Sequence, residues 1–133
     1  MLATGIDMIE IERFQGALNR HGDRLLQRIF TGMELAEVGH KPASLAARFA
    51  AKEAAAKALG TGIGPVAWKE IEIRRGPAGE PVLRLHGSAA RLAAERQLHT
   101  WSVSISHSQT HAIAMVVALG DGQEARSASG TAS

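Results

Sequence analysis

The run from Pro42 to Leu59 constrains this chain more than any other stretch. After its first residue it holds no Gly or Pro, and most of its positions are strong helix formers. At about 100° per residue, Ala47, Ala50, Ala51, Ala54, Ala55 and Ala58 occupy one side, with no large side chain among them. Leu45, Arg48, Phe49, Lys52, Glu53, Lys57 and Leu59 share the opposite half. An amphipathic helix normally separates large apolar residues from charges, whereas here the two are mixed on one half and the other half is bare methyls. Methyls let a backbone approach closely, so the alanine side is expected to lie flat against a sheet or a helix. Arg48, Lys52, Glu53 and Lys57 are then expected to face a partly apolar cleft. The plainer alternative is a solvated face, because Glu53 and Lys57 form an i,i+4 pair worth only about 0.2–0.5 kcal/mol. Pro42 suits the first turn of this helix and Gly60 its left-handed end.

Leu2 to Ile9 reads as a short apolar strand, with Leu2, Thr4, Ile6 and Met8 on one face and Ala3, Gly5, Asp7 and Ile9 on the other. Asp7 thus ends a strand among small neighbours, where a carboxylate is costly unless paired, hydrogen-bonded or bound to a metal. An N-cap for the next helix is its simpler role. Glu10 to Arg20 has helical spacing through Ile11, Phe14 and Leu18, His21-Gly22-Asp23 marks a break, and Arg24 to Ile29 resumes the helix. Arg13, Arg20, Arg24 and Arg28 stand at intervals that line one surface, which suits an acidic partner or a merely solvated face. Thr31 to Glu34 is a capping box, with Phe30 and Leu35 as its hydrophobic staple, for a short helix ending near Gly39.

Gly60 to Pro65 is glycine-rich, but a phosphate cradle normally precedes a helix and this loop follows one. Trp68–Arg75 and Pro81–Leu85 are expected as a hairpin around Gly76-Pro77-Ala78-Gly79. Ser88 is placed to cap a helix running to about Leu98. Trp101–Ser108 and His111–Leu119 form a second hairpin through Gln109-Thr110. Ser102, Ser104, Ser106 and Ser108 lie opposite Trp101, Val103, Ile105 and His107, while Ala112, Ala114 and Ala118 alternate with Ile113, Met115, Val117 and Leu119. The serine-and-alanine face is expected to receive the alanine side of the long helix. The bulky face is then expected to be buried against another copy of the chain. The fold class is α+β, a mostly antiparallel sheet packed against one long helix. Residues 1–119 form the domain and residues 120–133 a disordered polar tail.

A chain of 133 residues is long enough for one core and not two. No apolar run reaches the roughly 18 residues of a membrane span, and Met1 to Thr4 opens no signal peptide. With no cysteine there is neither a disulfide framework nor a thiolate zinc site. These features suit a cytoplasmic protein with no membrane partner. No Tyr, two Trp and three Phe supply a poor stacking platform for nucleic acid. The net charge of +2 favours an anionic partner only mildly.

Asp7 and Glu53 are the best pair of hard oxygen ligands near apolar sequence. Two carboxylates with water positions left over suit Mg²⁺. Arg48, Lys52 and Lys57, on the helical half of Glu53, would bring charge to phosphate oxygens. His107, at a strand end beside a tight turn, is placed as a phosphate donor, a proton shuttle or an ordinary turn histidine. His107 and His111 are four apart but not on a helix, so they are not read as a zinc pair. The set favours phosphoryl-type transfer, which depends on positioning and charge neutralisation.

Gly5-Ile6-Asp7-Met8-Ile9-Glu10-Ile11-Glu12-Arg13 resembles the opening signature of the holo-[acyl-carrier-protein] synthases, the short 4′-phosphopantetheinyl transferases. Phe30-Thr31 with Glu34, then Arg48 to Gly62, and finally Ser104-Ile105-Ser106-His107-Ser108, are similar to the remaining motifs in order. The similarity covers Leu2 to about Leu119. It implies a 4′-phosphopantetheinyl transferase-like fold and transfer of the 4′-phosphopantetheine arm of coenzyme A to a serine of apo acyl-carrier protein, releasing adenosine 3′,5′-bisphosphate. It also implies a role in fatty acid biosynthesis. The resemblance puts Asp7 and Glu53 on the Mg²⁺ ligands, with Glu53 or a metal-bound water accepting the serine proton. Lys57 falls on the lysine near the pyrophosphate. Arg48, Lys52, Ser106 and His107 fall in the motifs that approach coenzyme A, with His107 also among the catalytic positions. Arg13, Arg20, Arg24 and Arg28 fall in the region that meets the acidic helix of the carrier. The resemblance further implies a homotrimer with sites between adjacent subunits. His111 stands where many relatives carry an aromatic residue.

Two other classes compete with this reading. A thioesterase-like hydrolase would need no divalent metal. A basic module binding RNA or acidic proteins would depend on the arginines and not on Asp7. Neither accounts for Asp7, Glu53 and Lys57 together.

Overall fold

The computed structural model describes residues 1–120. The chain runs β1 (Leu2–Glu10), α1 (Ile11–Ile29), α2 (Gly32–Val38), α3 (Pro42–Leu59), a 3-10 turn (Trp68–Glu70), β2 (Ile71–Arg75), β3 (Pro81–Leu85), α4 (Gly87–Glu95), β4 (Leu98–His107) and β5 (His111–Gly120). Two antiparallel sheets result, one ordered β1-β5-β4 and one made of β2 and β3. The α+β class and the antiparallel pairing are as expected. A second long helix accompanies α3, since α1 spans 19 residues and is bent at Gly22, whose φ of 65° breaks the helical path where His21-Gly22-Asp23 predicts it. Gly120, expected as the first residue of the tail, belongs to β5 and donates its N–H to the Met1 carbonyl at 2.7 Å. The rest of that tail lies outside the described residues.

α3 lies on the three-stranded sheet through its alanines. Ala50, Ala51, Ala54 and Ala55 have no exposed surface, and Pro42 and the left-handed Gly60 (φ 87°) begin and end the helix as expected. Contact is closest at Gly5, where a β-carbon would stand 1.8 Å from the Ala54 carbonyl oxygen. Only a residue without a side chain lets helix backbone and strand backbone meet there.

The face offered to α3 differs from the expected one. The turn after β4 sets Ser108 opposite His111, with the Ser108 N–H donating to the His111 carbonyl at 2.8 Å. Ser106 is therefore opposite Ile113, Ser104 opposite Met115 and Ser102 opposite Val117. Residues directly opposite in an antiparallel pair share a face, so the serines belong with the bulky residues and not with the alanines. The bed of α3 is Trp101, Val103 and Ile105 with Ala112, Ala114, Val116 and Ala118, joined by Ala3 and Gly5 of β1. The outer face carries the serines together with exposed Leu2, Ile6, Met8, Met115 and Leu119.

α2 is held by the expected capping box: Thr31 Oγ1 accepts from the Glu34 N–H at 3.1 Å and Glu34 Oε1 from the Thr31 N–H at 2.8 Å. The first three residues of the expected Trp68 strand form the 3-10 turn instead. α4 is not capped by the Ser88 hydroxyl. Glu70 on that turn accepts the Ser88 N–H at 2.7 Å and the Ala67 N–H at 2.8 Å, and these two donors hold its carboxyl below the usual range. A carboxylate reaching a helix start from elsewhere in the chain has no local sequence signal. α4 also ends at Glu95, ahead of the expected Leu98, which instead opens β4.

Candidate active site

One residue step on a helix is about 100°, and on α3 that step separates two stripes that the sequence places on one half. Phe49, Glu53 and Lys57 run along the edge beside α1 and β1. Arg48 and Lys52 run along the side packed on α2 and β2.

On the first stripe, Lys57 Nζ donates to Asp7 Oδ1 at 3.0 Å and to the Ile6 carbonyl at 2.9 Å, joining groups fifty residues apart. Asp7 points to the helix side of β1 as the alternation predicts, and it does not serve as an N-cap, since α1 starts after Glu10 with no side-chain cap. The other oxygen, Asp7 Oδ2, is buried without a hydrogen-bond partner. A buried carboxylate oxygen in that state calls for a cation or a donor. Glu53, one turn before Lys57, accepts the indole N–H of Trp68 on Oε2 at 2.9 Å. The structure therefore brings Asp7, Lys57 and the Glu53 edge of α3 together.

Arg48 and Lys52 go elsewhere. Lys52 has 0% exposure. Its ammonium pairs with Glu34 Oε1 at 2.8 Å and donates to the carbonyls of Ile71 (2.7 Å) and Trp68 (3.0 Å). Burial pulls this lysine below its usual range, and the Glu34 carboxylate offsets that only in part. Arg48, also buried, pairs with Glu37 at 3.1 Å and donates to the Ile73 carbonyl. Both residues expected near coenzyme A phosphates are thus buried and already paired within this chain. Their donors tie α3 to α2 and β2, and no phosphate reaches Lys52 without dismantling that side of the core. Glu34 completes the knot by accepting the Ile73 N–H at 2.7 Å. Lys52→Met is expected to cost about 3 kcal/mol or more in urea unfolding, because it strands a buried carboxylate. The double change with Glu34→Gln is expected to cost less than the sum of the two singles.

His107 and Ser106, adjacent in sequence, point to opposite faces of β4. Ser106 is on the outer face opposite Ile113. His107 is exposed, with Nδ1 3.1 Å from the Ser108 carbonyl, in a hollow it shares with Ile11, Pro42 and Ala43. By register it lies two strands across and two residues along from Asp7, roughly 12 Å by strand spacing and rise. Within one chain it does not join Asp7, Glu53 and Lys57.

Arg20, Arg24 and Arg28 line one hollow of α1 with His21 and Leu25, so the bend at Gly22 does not scatter them. Arg13, 3.6 Å from Glu10, shares a second hollow with Arg20 beside the β4–β5 turn. Between α1 and α3 opens a cavity of about 570 Å³, walled by Phe14, Ala17, Leu25, Ile29, Phe49 and Trp68. Arg28 places its guanidinium over the Trp68 ring at 5.8 Å. Trp68 is the residue that sequence reasoning missed. It read as the start of a strand, and nothing local marks its indole as a partner for Glu53.

Residues 3–116 match the 4′-phosphopantetheinyl transferase superfamily. A holo-[acyl-carrier-protein] synthase of Herpetosiphon aurantiacus is 49% identical over 127 residues, covering 90% of this chain and 100% of that one. The crystal structure of the Helicobacter pylori holo-[acyl-carrier-protein] synthase in complex with coenzyme A superposes with a TM-score of 0.80 at 32% identity, over 87% of this chain and 99% of that one. A Bacillus anthracis holo-(acyl-carrier-protein) synthase in complex with CoA (3′,5′-ADP) gives 0.73 at 37% identity, over 90% and 96%. The chain therefore belongs to the 4′-phosphopantetheinyl transferase superfamily. Within it, the chain falls among the holo-[acyl-carrier-protein] synthases.

Proposed function

We propose that this chain transfers 4′-phosphopantetheine from coenzyme A to a serine hydroxyl of an apo acyl-carrier protein, in a Mg²⁺-dependent reaction that releases adenosine 3′,5′-bisphosphate. The observation that carries the reading is the meeting of Asp7 and Lys57 across fifty residues of chain, on the edge of α3 that also bears Glu53. Asp7 and Glu53 are the residues that would hold the metal. The partnerless Asp7 Oδ2 fits such a ligand. Among the described residues no three His, Cys, Asp or Glu cluster to hold a metal. Two carboxylates completed by water and substrate oxygens remain a set that Mg²⁺ accepts and that a structural zinc does not. A bound Mg²⁺ would offset charge on the pyrophosphate oxygens.

The serine oxygen bonds to the β-phosphorus of coenzyme A, and the bond from that phosphorus to the oxygen bridging to the adenosine 3′,5′-bisphosphate breaks. Lys57, exposed at its tip, brings a positive charge to the departing phosphate while still anchored on β1. Glu53, or a water beside it, takes the serine proton. Arg20, Arg24 and Arg28, with Arg13 further along α1, offer a basic stripe to an acidic carrier helix. The exposed face of Leu2, Ile6, Met8, Met115 and Leu119 supports a homotrimer. In that assembly His107 would reach the site of the neighbouring subunit, which agrees with its distance from Asp7 within one chain. A role in fatty acid biosynthesis and a cytoplasmic setting belong to the same reading; among the described residues no helix is long and apolar enough to cross a membrane.

The test is the intact mass of apo acyl-carrier protein after incubation with this chain, coenzyme A and Mg²⁺, with and without chelator. A gain of one phosphopantetheine that chelator abolishes is expected. No gain on any of several fatty-acid and polyketide carriers, with folded protein and metal present, would sink the proposal.

A further inference from the structure

The geometry points to Trp68 as a positioning residue for this reaction, holding the Glu53 carboxylate in its working orientation through the indole N–H. The inference rests on the reading of Glu53 as a metal ligand and deepens it.

Glu53 projects from the open edge of α3, where a free glutamate samples several rotamers. The Trp68 bond to Oε2, at 2.9 Å, selects one of them and leaves Oε1 to the site. An indole is a donor only, so it cannot serve as acid or base. The indole is itself fixed from three directions. Phe49, one turn before Glu53, meets it with ring centroids 5.9 Å apart. Arg28 of α1 covers its face at 5.8 Å. Fully buried Lys52 grips its backbone carbonyl at 3.0 Å. Lys52 thus serves the site through Trp68 rather than by touching substrate. A phenylalanine at this position would keep the packing with Phe49 and Arg28 and lose only the donor. Partners that orient a metal ligand typically change metal affinity or activity about 10–100-fold.

The full-length chain carrying Trp68→Phe is expected to lose about tenfold in kcat and to need about tenfold more Mg²⁺ for half-maximal rate. Its KM for coenzyme A should stay within about twofold and its thermal midpoint within about 3 °C. A residue that only packs would not move the Mg²⁺ requirement alone. The second measurement does not use turnover. In a Trp101→Phe background Trp68 is the sole tryptophan, and its emission should change when MgCl₂ is added in the presence of coenzyme A. Adding Glu53→Gln should abolish that change. If Trp68→Phe proves unstable, the emission experiment decides. Parent-like kcat and Mg²⁺ dependence in Trp68→Phe, with Glu53→Gln inactive, would overturn the role of Trp68 alone. An emission insensitive to Mg²⁺ while Glu53→Gln is inactive would do the same. Full activity in Glu53→Gln would overturn the underlying reading together with this one.

Discussion

Glu53→Gln is expected to lower transfer to the carrier on the order of 10²–10³-fold, the usual scale when one preorganised charge is removed from a transition state. The fold should survive, because a glutamine side-chain oxygen still accepts the Trp68 indole N–H that Glu53 accepts at 2.9 Å. Asp7→Asn should show a comparable loss. Its effect on stability should be small, since the Lys57 partner is half-exposed and such pairs contribute little in solvent. Intact-mass kinetics on the carrier, with thermal melts run alongside, measures both. Rates within about threefold of the parent in either variant, at saturating Mg²⁺, would remove that residue from the site.

The largest expected effect on the fold is at Gly5. Its β-carbon position is 1.8 Å from the Ala54 carbonyl oxygen and 2.8 Å from the Ala54 carbonyl carbon. Neither atom belongs to a flexible side chain that could swing away. Gly5→Ala therefore forces β1 and α3 apart along the contact that also sets Asp7 against Lys57. The cost is expected at or beyond the 4–5 kcal/mol or so that marks exceptional substitutions, with loss of cooperative melting at moderate temperature. A variant that melts within about 2 °C of the parent would show that the helix can shift on the sheet, and the closeness of this contact would then not matter. The same substitution at Gly16 has only the tip of Arg20 nearby at 3.5 Å, and should be mild.

Much of the secondary structure was legible because its signals are local. The capping box of α2, Pro42 and Gly60 at the ends of α3, the break at Gly22 and the alternation of β1 each depend on a handful of neighbouring residues. The inward turn of Asp7 was also legible, from the alternation of β1. Other features came from contacts between segments distant in sequence. The serines of β4 joined the bulky outer face because a two-residue turn sets the register, and register decides which residues share a face. Glu70 caps α4, and Glu34 receives Lys52, across chain separations that no motif records. Arg48 and Lys52 carried the same charge as Lys57 and fell on the same half of the helix, at its opposite edge. Their roles divided only where α2 and β2 closed over one side of α3.

By itself the sequence determined an alanine-faced helix fit to lie flat on a neighbouring element and a carboxylate set in an apolar strand, since methyl size, helix period and strand alternation are properties of the residues themselves. The tertiary structure alone decided which cations on that helix are buried and which stay exposed. Lys57 keeps a half-exposed side chain beside Asp7, whereas the Lys52 ammonium is surrounded by Glu34 and two backbone carbonyls. It also decided that an indole from the loop beyond the helix would hold Glu53. Charge is written in the residue, but whether it meets solvent, a partner or a substrate depends on what the rest of the chain packs around it.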